Sequence, residues 1–198
     1  MYKIVISPVL LRSHFVIQKL REKTNAYLDE GCVVKFSEKP FAVVVLTLLM
    51  KRAHDIEFAR HIVFCDSTSS CDADQHSITF FLTPCPAGAV PLGIVITKGQ
   101  TDESYYSGFT LFKNTLSEAV GSHAFGHQGY PDIFLTDNCS AEIKALKMVW
   151  PKSENQLCKF HVLQAVWRWL CDSKNGISSD IRQAVSYTHL TLPTIYSV

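Results

Sequence analysis

Between His61 and Lys98 three strand-like runs follow one another: HIVFCD (61–66), HSITFFLT (76–83) and AVPLGIVITK (89–98). Each is rich in β-branched and aromatic residues and is bounded by polar or Pro/Gly breaks, PCPAG among them. Such runs read as consecutive strands. Strands joined this closely pair antiparallel, because a parallel partner needs a crossover of a dozen or more residues. An antiparallel meander therefore anchors whatever else the chain builds.

The period then changes. Thr101 suits a helix cap, with Asp102 and Glu103 at the positive end of the helix dipole. Tyr105, Phe109, Phe112 and Leu116 recur at helical spacing to about Val120, where GSHAFGHQGYP breaks the pattern. DIFLTD (132–137) reads as a strand, and SAEIKALKMVW (140–150) as a helix ended by Pro151. QLCKF (156–160) reads as a strand and HVLQAVWRWLCD (161–172) as a helix. Ahead of the meander, FVIQKLREKTNAYL is an amphipathic helix with Leu20 and Tyr27 on its apolar side, and GCVVKFSEKPFAVVVLTLLMK holds two strands in a hairpin around SEKP.

From His61 the order is β-β-β-α-β-α-β-α, the order of the ribonuclease-H-like α/β fold, with a mixed sheet. A chain of 198 residues, 47% hydrophobic, supplies the core of one such domain. Its net charge of +1 conceals an asymmetry: ten Lys/Arg against six Asp/Glu through Arg60, then nine against twelve. The basic part suits a polyanion and the acidic part suits cations, although a solvated mixed surface explains both equally well. The seven irregularly spaced cysteines, with no secretory signal before them, predict a reduced intracellular setting. FAVVVLTLLM (41–50) is well short of the roughly 20 residues of a membrane span and reads as a core strand.

Asp66 and Asp137 each end one of these strands. A carboxylate at the end of a core strand serves as a cap, a turn or a cation ligand, since burying it uncompensated is costly. Alone, DSTSS or TDNCS reads first as an Asx-type turn. In this element order, however, the two strands are parallel neighbours, and both aspartates fall at the carboxyl end of the sheet, where open α/β sheets place ligands. Two adjacent carboxylates repel unless a proton or a cation joins them, and hard oxygen ligands suit Mg²⁺. The pair therefore favours a cation. Asp72 and Asp74 read as solvated loop acids, and Asp132 starts its strand at the wrong end of the sheet.

Cys158 and His161 form a C-x-x-H pair, a spacing zinc often uses. Two further ligands would have to come from Cys65, Cys71 or Cys139, which no spacing indicates, so a small core cysteine and a helix-start histidine are the stronger reading. Trp167 and Trp169 cannot share a helix face, which predicts one in the core and the other, beside Arg168, at the surface.

Four ordered blocks, IVFCDSTSS, GAVPLGIVITKGQTDESYY, GYPDIFLTDNCSAEIKAL and LCKFHVLQAVWRWL, together resemble the transposase domain of Mutator-like elements (MULE) from about Val33 to Arg182. The resemblance implies a ribonuclease-H-like fold with an Asp-Asp-Glu metal site using two Mg²⁺ or Mn²⁺ ions. It also implies DNA strand cleavage and transfer in the nucleus, with transposon ends and target DNA as partners and a homo-oligomer as the complete assembly. Carried over, Asp66 and Asp137 are the first two catalytic and metal-binding acids, and Cys158 and His161 match the family's Cys/Asp-x-x-His signature.

The family's third acid, a glutamate well beyond the histidine, has no counterpart here. No glutamate follows His161, and Asp172 and Asp180 come early. The closing VSYTHLTLPTIYSV has no helical period and looks like adaptor-derived sequence. The expected organisation is an N-terminal helical piece at 1–32, a MULE domain at 33–184 truncated before its last helix, and a non-native-looking tail at 185–198. The functions in view are a fragment of an active transposase, a domesticated DNA-bound transcription regulator, or a degenerate remnant. The fragment alone is expected to be inactive.

Overall fold

The computed structural model describes residues 13–69 and 72–185. The expected tail therefore lies outside the described residues from 186 on, as does Cys71. The chain divides into two compact units at Gln156/Leu157. No described helix is long and apolar enough to cross a membrane.

In the first unit, α1 (Ser13–Asp29) precedes the hairpin of β1 (Val33–Glu38) and β2 (Phe41–Leu46). The apolar run at 41–50 is not one strand. Thr47 accepts a hydrogen bond from the Met50 amide at 3.2 Å and starts α2 (Leu48–Ala53), so a cap cuts the run in two. After α3 (Phe58–His61) come β3 (Ile62–Thr68), β4 (His76–Cys85) and β5 (Gly88–Lys98), the expected meander. Helix α4 (Asp102–Ala119) starts as expected, with the Thr101 side chain accepting from the Ser104 amide at 3.2 Å. A 3-10 turn at Gly121–His123 and a distorted turn, α5 (Ala124–His127), lead to β6 (Ile133–Thr136), α6 (Ser140–Val149) and β7 (Glu154–Leu157).

The seven strands form one mixed sheet in the order β1-β2-β5-β4-β3-β6-β7. Strand β3 pairs with β6 in parallel, with Val63 opposite Phe134 and Phe64 opposite Leu135. These are the two strands expected to be parallel neighbours. The architecture is thus mixed α/β. Two strand limits differ from expectation. Asp66 does not end β3, because Ser67 and Thr68 continue the ladder opposite Thr79 and Ile78. The last strand begins at Glu154 rather than 156, fixed by the Glu154 amide donating to the Asp132 carbonyl at 2.8 Å.

The core is aromatic. Trp150, just past α6, is 1% exposed, with Phe134 at 5.3 Å between ring centroids and Phe125, Phe81, Phe112 and Phe109 at 6.1–6.4 Å. Helix α4 lies close on the sheet because Gly108 has no side chain: a Cβ there would stand 2.6 Å from Thr97 Cγ2 and 2.8 Å from Val95 Cγ1.

The second unit holds α7 (Lys159–Cys171), a 3-10 turn at Ser173–Asn175 and α8 (Ser179–Val185). Helix α7 includes Lys159 and Phe160, which the sequence pattern assigns to a strand, because Cys158 already stands in the extended N-cap conformation. Neither tryptophan of α7 is in a core: Trp167 is 41% and Trp169 58% exposed, and Leu170 is the buried residue of this helix. Asp172 caps the next turn by accepting from the Lys174 amide at 2.9 Å.

Candidate metal-binding carboxylate site

The register of β3 and β6 decides where the two expected acids stand. The β3–β6 register ends at the Phe64–Leu135 pair, and Asp66 and Asp137 each stand two residues beyond it, Asp66 within β3 and Asp137 just past β6. Asp66 is exposed and lies opposite Phe80 of β4. Asp137 is the first residue after β6 and half-buried, and its Oδ1 accepts from the Cys139 amide at 2.9 Å. The Asx turn expected of TDNCS is therefore real. It occupies one carboxylate oxygen and aims the group, which is compatible with a ligand on the other oxygen.

A third carboxyl joins them. Glu142 lies in the first turn of α6 and is 0% exposed. Ser67 Oγ donates to its Oε2 at 2.5 Å, which leaves the Thr79 hydroxyl, 2.8 Å from Ser67 Oγ, to donate to Ser67. Its other oxygen, Oε1, is buried without a hydrogen-bond partner. Burial pushes the Glu142 carboxyl up to about 7; the Ser67 bond opposes this, and the charges of Asp137 and Asp66 add to it. The Cys65 thiol, fully buried beside these acids, is pushed up, first by burial and then by Glu142, Asp137 and Asp66. The Tyr105 phenol, pushed up to about 12 chiefly by burial, accepts from Gln100 Nε2 at 3.1 Å.

Sequence reasoning passed over Glu142 because a glutamate in a first helical turn is ordinary. The available signal was its phase. Glu142 shares one face with Ala145, Leu146 and Val149, all buried, so it occupies a core position of α6. A buried carboxyl with an orphaned oxygen, beside two further carboxylates, is costly unless a proton or a cation compensates it. The donor set is all oxygen apart from the neighbouring thiol, which fits a hard divalent ion.

The remaining expected residues lie elsewhere. Asp132, just before β6, pairs with His61 Nδ1 at 2.9 Å and accepts from Gln128 Nε2 at 2.8 Å, at the opposite end of the strand from Asp137. The Gln128 and His61 hydrogen bonds hold its carboxyl below the usual range. Asp72 is not a solvated acid: its carboxylate accepts from the amides of Asp74 and His76 and lies 2.6 Å from His76 Nδ1. Burial raises the Asp72 carboxyl, but the His76 bonds outweigh it and the net shift is downward. Cys158 and His161 stand at the start of α7, half-buried, in the second unit. Among the described residues the only group of three or more His, Cys, Asp or Glu with ligand atoms mutually within 4.8 Å is Asp55, His123 and His127.

The mixed sheet and its helices define an α/β domain, with Asp66, Asp137 and Glu142 gathered near the carboxyl ends of β3 and β6. Residues 69–165 match the family model of the MULE transposase domain. Such a domain implies DNA binding and divalent-metal use in general. The match takes in Asp137, Glu142, Cys158 and His161 and begins just after Asp66 and β3. No curated protein matches the chain.

Proposed function

We propose that this chain is the catalytic domain of a DNA transposase, ribonuclease-H-like in fold, that cleaves and transfers DNA strands with Mg²⁺ or Mn²⁺. Asp66 and Asp137 hold the cation and Glu142 serves as the third carboxylate. The observation that carries the reading is the parallel register of β3 and β6, with Asp66 and Asp137 each two residues beyond its last pair, beside a buried glutamate with an orphaned oxygen.

When bound, the metal supplies Lewis-acid stabilisation of the attacking and leaving phosphodiester oxygens. The chain supplies position. The Asx turn at Asp137 aims one carboxylate, the Ser67–Thr79 relay orients Glu142, and the Cys65 side chain keeps water from the inner face of the site. The partners on this reading are transposon ends and target DNA. Joining two ends calls for at least two copies of the active site, hence a homo-oligomer working in the nucleus.

The test is Mn²⁺ titration of the full chain by calorimetry, together with cleavage of DNA carrying the element's ends by the complete protein. Asp66→Asn and Asp137→Asn should each weaken Mn²⁺ binding at least tenfold and abolish cleavage. Mn²⁺ affinity indifferent to both substitutions would sink the assignment. DNA binding by the complete protein without any cleavage would favour the domesticated regulator.

A further inference from the structure

We propose that Asp55, His123 and His127 form a second metal centre, selective for a zinc-like divalent transition metal, at the end of the sheet where β3 and β6 begin. The three side chains come from separate places: Asp55 follows α2, His123 ends the 3-10 turn after α4, and His127 ends α5. Asp55 Oδ1 lies 2.9 Å from His123 Nδ1 and 3.9 Å from His127 Nε2. The two imidazole rings stand 4.6 Å apart between centroids. Ligand atoms around one tetrahedral zinc, each about 2 Å from the metal, lie about 3.3 Å from one another. The two Asp55 separations bracket that figure.

The second observation is how the backbone is bent to bring these groups together. Phe125, Gly126 and His127 all have positive φ, at 50°, 58° and 69°. Two of the three carry side chains, and such strain persists only where the surroundings over-determine it. The restraint is His54, the residue before Asp55. Its Nδ1 accepts from the Phe125 amide at 3.1 Å, its carbonyl accepts from the Gly126 amide at 2.7 Å, and its Nε2–H donates to the Leu92 carbonyl at 3.2 Å. Phe125 is buried with its ring edge-on to His54 at 5.0 Å. A Cβ on Gly126 would meet Arg60 Cβ at 2.8 Å, so only glycine lets the turn lie this close. The same histidine that pins the loop thus precedes the carboxylate whose Oδ1 lies 2.9 Å and 3.9 Å from a nitrogen of each ring.

An exposed Asp–His pair contributes little to stability and does not account for a strained turn delivering a second imidazole to the same oxygen. Two imidazole nitrogens and one carboxylate suit zinc, cobalt or nickel rather than Mg²⁺ or Ca²⁺, which prefer oxygen throughout. Three protein ligands leave the fourth position to water. The site is separate from the acids: Asp55 precedes β3 (Ile62–Thr68), and Asp66 lies toward the far end of that strand.

The test is Co²⁺ titration of the full metal-free chain, read by visible absorption and by competition with Zn²⁺. One equivalent should bind with tetrahedral d–d bands and no thiolate charge-transfer band, and Zn²⁺ should displace it. His123→Ala, His127→Ala and Asp55→Asn should each weaken binding at least tenfold, while Asp66→Asn leaves it unchanged. All three side chains are more than half exposed, and circular dichroism checks that the variants stay folded. No Co²⁺ binding, a thiolate band, or affinity indifferent to the three substitutions would overturn the proposal. Because the carboxylate site is read with Mn²⁺ and the Asp66 and Asp137 variants, either site can fail alone.

Discussion

Phe64 and Leu135 face each other on adjacent parallel strands, and two residues past each stands an aspartate. That register, rather than either turn, makes Asp66 and Asp137 a pair. It also brings Ser67, the next residue of β3, against Glu142 of α6. The acids are therefore tied to the fold by one strand pairing and one hydroxyl.

Glu142 and His54 should give opposing pH dependences. The Glu142 carboxyl, pushed up to about 7 from 4.5, contributes stability that is full below about 4.5 and lost as pH rises through 7. A shift of that size corresponds to about 3 kcal/mol. In metal-free protein, Glu142→Gln should abolish this term, so that stability no longer declines between pH 5 and 8 on its account. Urea midpoints of wild type and variant at both pH values measure it; parallel pH profiles for the two would contradict the assignment.

His54 works the other way. Burial lowers its pKa to about 4 from 6.5, against the opposing effects of the Leu92 carbonyl and Asp55. Its contribution is full above 6.5 and lost as pH falls through 4, again about 3 kcal/mol. The two windows overlap and nearly cancel, so the wild type should look flat and the Glu142→Gln protein should be acid-labile. Hydrogen exchange at pH 4.5 should show the amides of Phe125 and Gly126 opening first. Uniform protection across the loop would count against the His54 anchor.

Divalent metal should displace the proton on Glu142. Near pH 7 the metal-free carboxyl is about half protonated, so Mn²⁺ binding should release a fraction of a proton per ion. Calorimetry in buffers of different ionisation enthalpy reads this directly. The release should vanish in Glu142→Gln; release that persists there would place the proton elsewhere.

Gly108→Ala tests the closeness of α4 to the sheet. Alanine gains about 1 kcal/mol of helix propensity, but its methyl would meet Thr97 and Val95 side chains at 2.6 and 2.8 Å. Overpacking of this kind costs about 1–3 kcal/mol, so the net change should be destabilising. A stabilised variant would mean that the helix can lift from the sheet without loss.

Trp150 should dominate the core. Its ring is 1% exposed among five phenylalanines, and Trp150→Ala should cost about 3–5 kcal/mol. Acrylamide should quench Trp167 and Trp169 but hardly touch Trp150. The conservative Trp150→Phe should therefore remove the unquenched fraction of the fluorescence; an unquenched fraction that survives the substitution would place a different tryptophan in the core.

The amino-acid pattern alone determined the meander, α4 with its Thr101 cap, the alternation that follows, and the parallel pairing of the strands that carry Phe64 and Phe134. These rest on periodicity, turn residues and connection length, all local quantities. Local signals misled where tertiary pairing extends or cuts an element. Ser67 and Thr68 are polar yet stay in β3 because β4 offers them partners, and the 41–50 run breaks because Thr47 caps a helix. Glu142 carries no signal of its own in the sequence beyond its helical phase, and packing sets it against Ser67 of β3. Asp55 lies 68 residues from His123 in the chain, and only a turn with three positive φ values, held by buried His54, brings both histidines to its carboxylate. Such sites depend on long-range contacts and backbone strain, which no local spacing encodes.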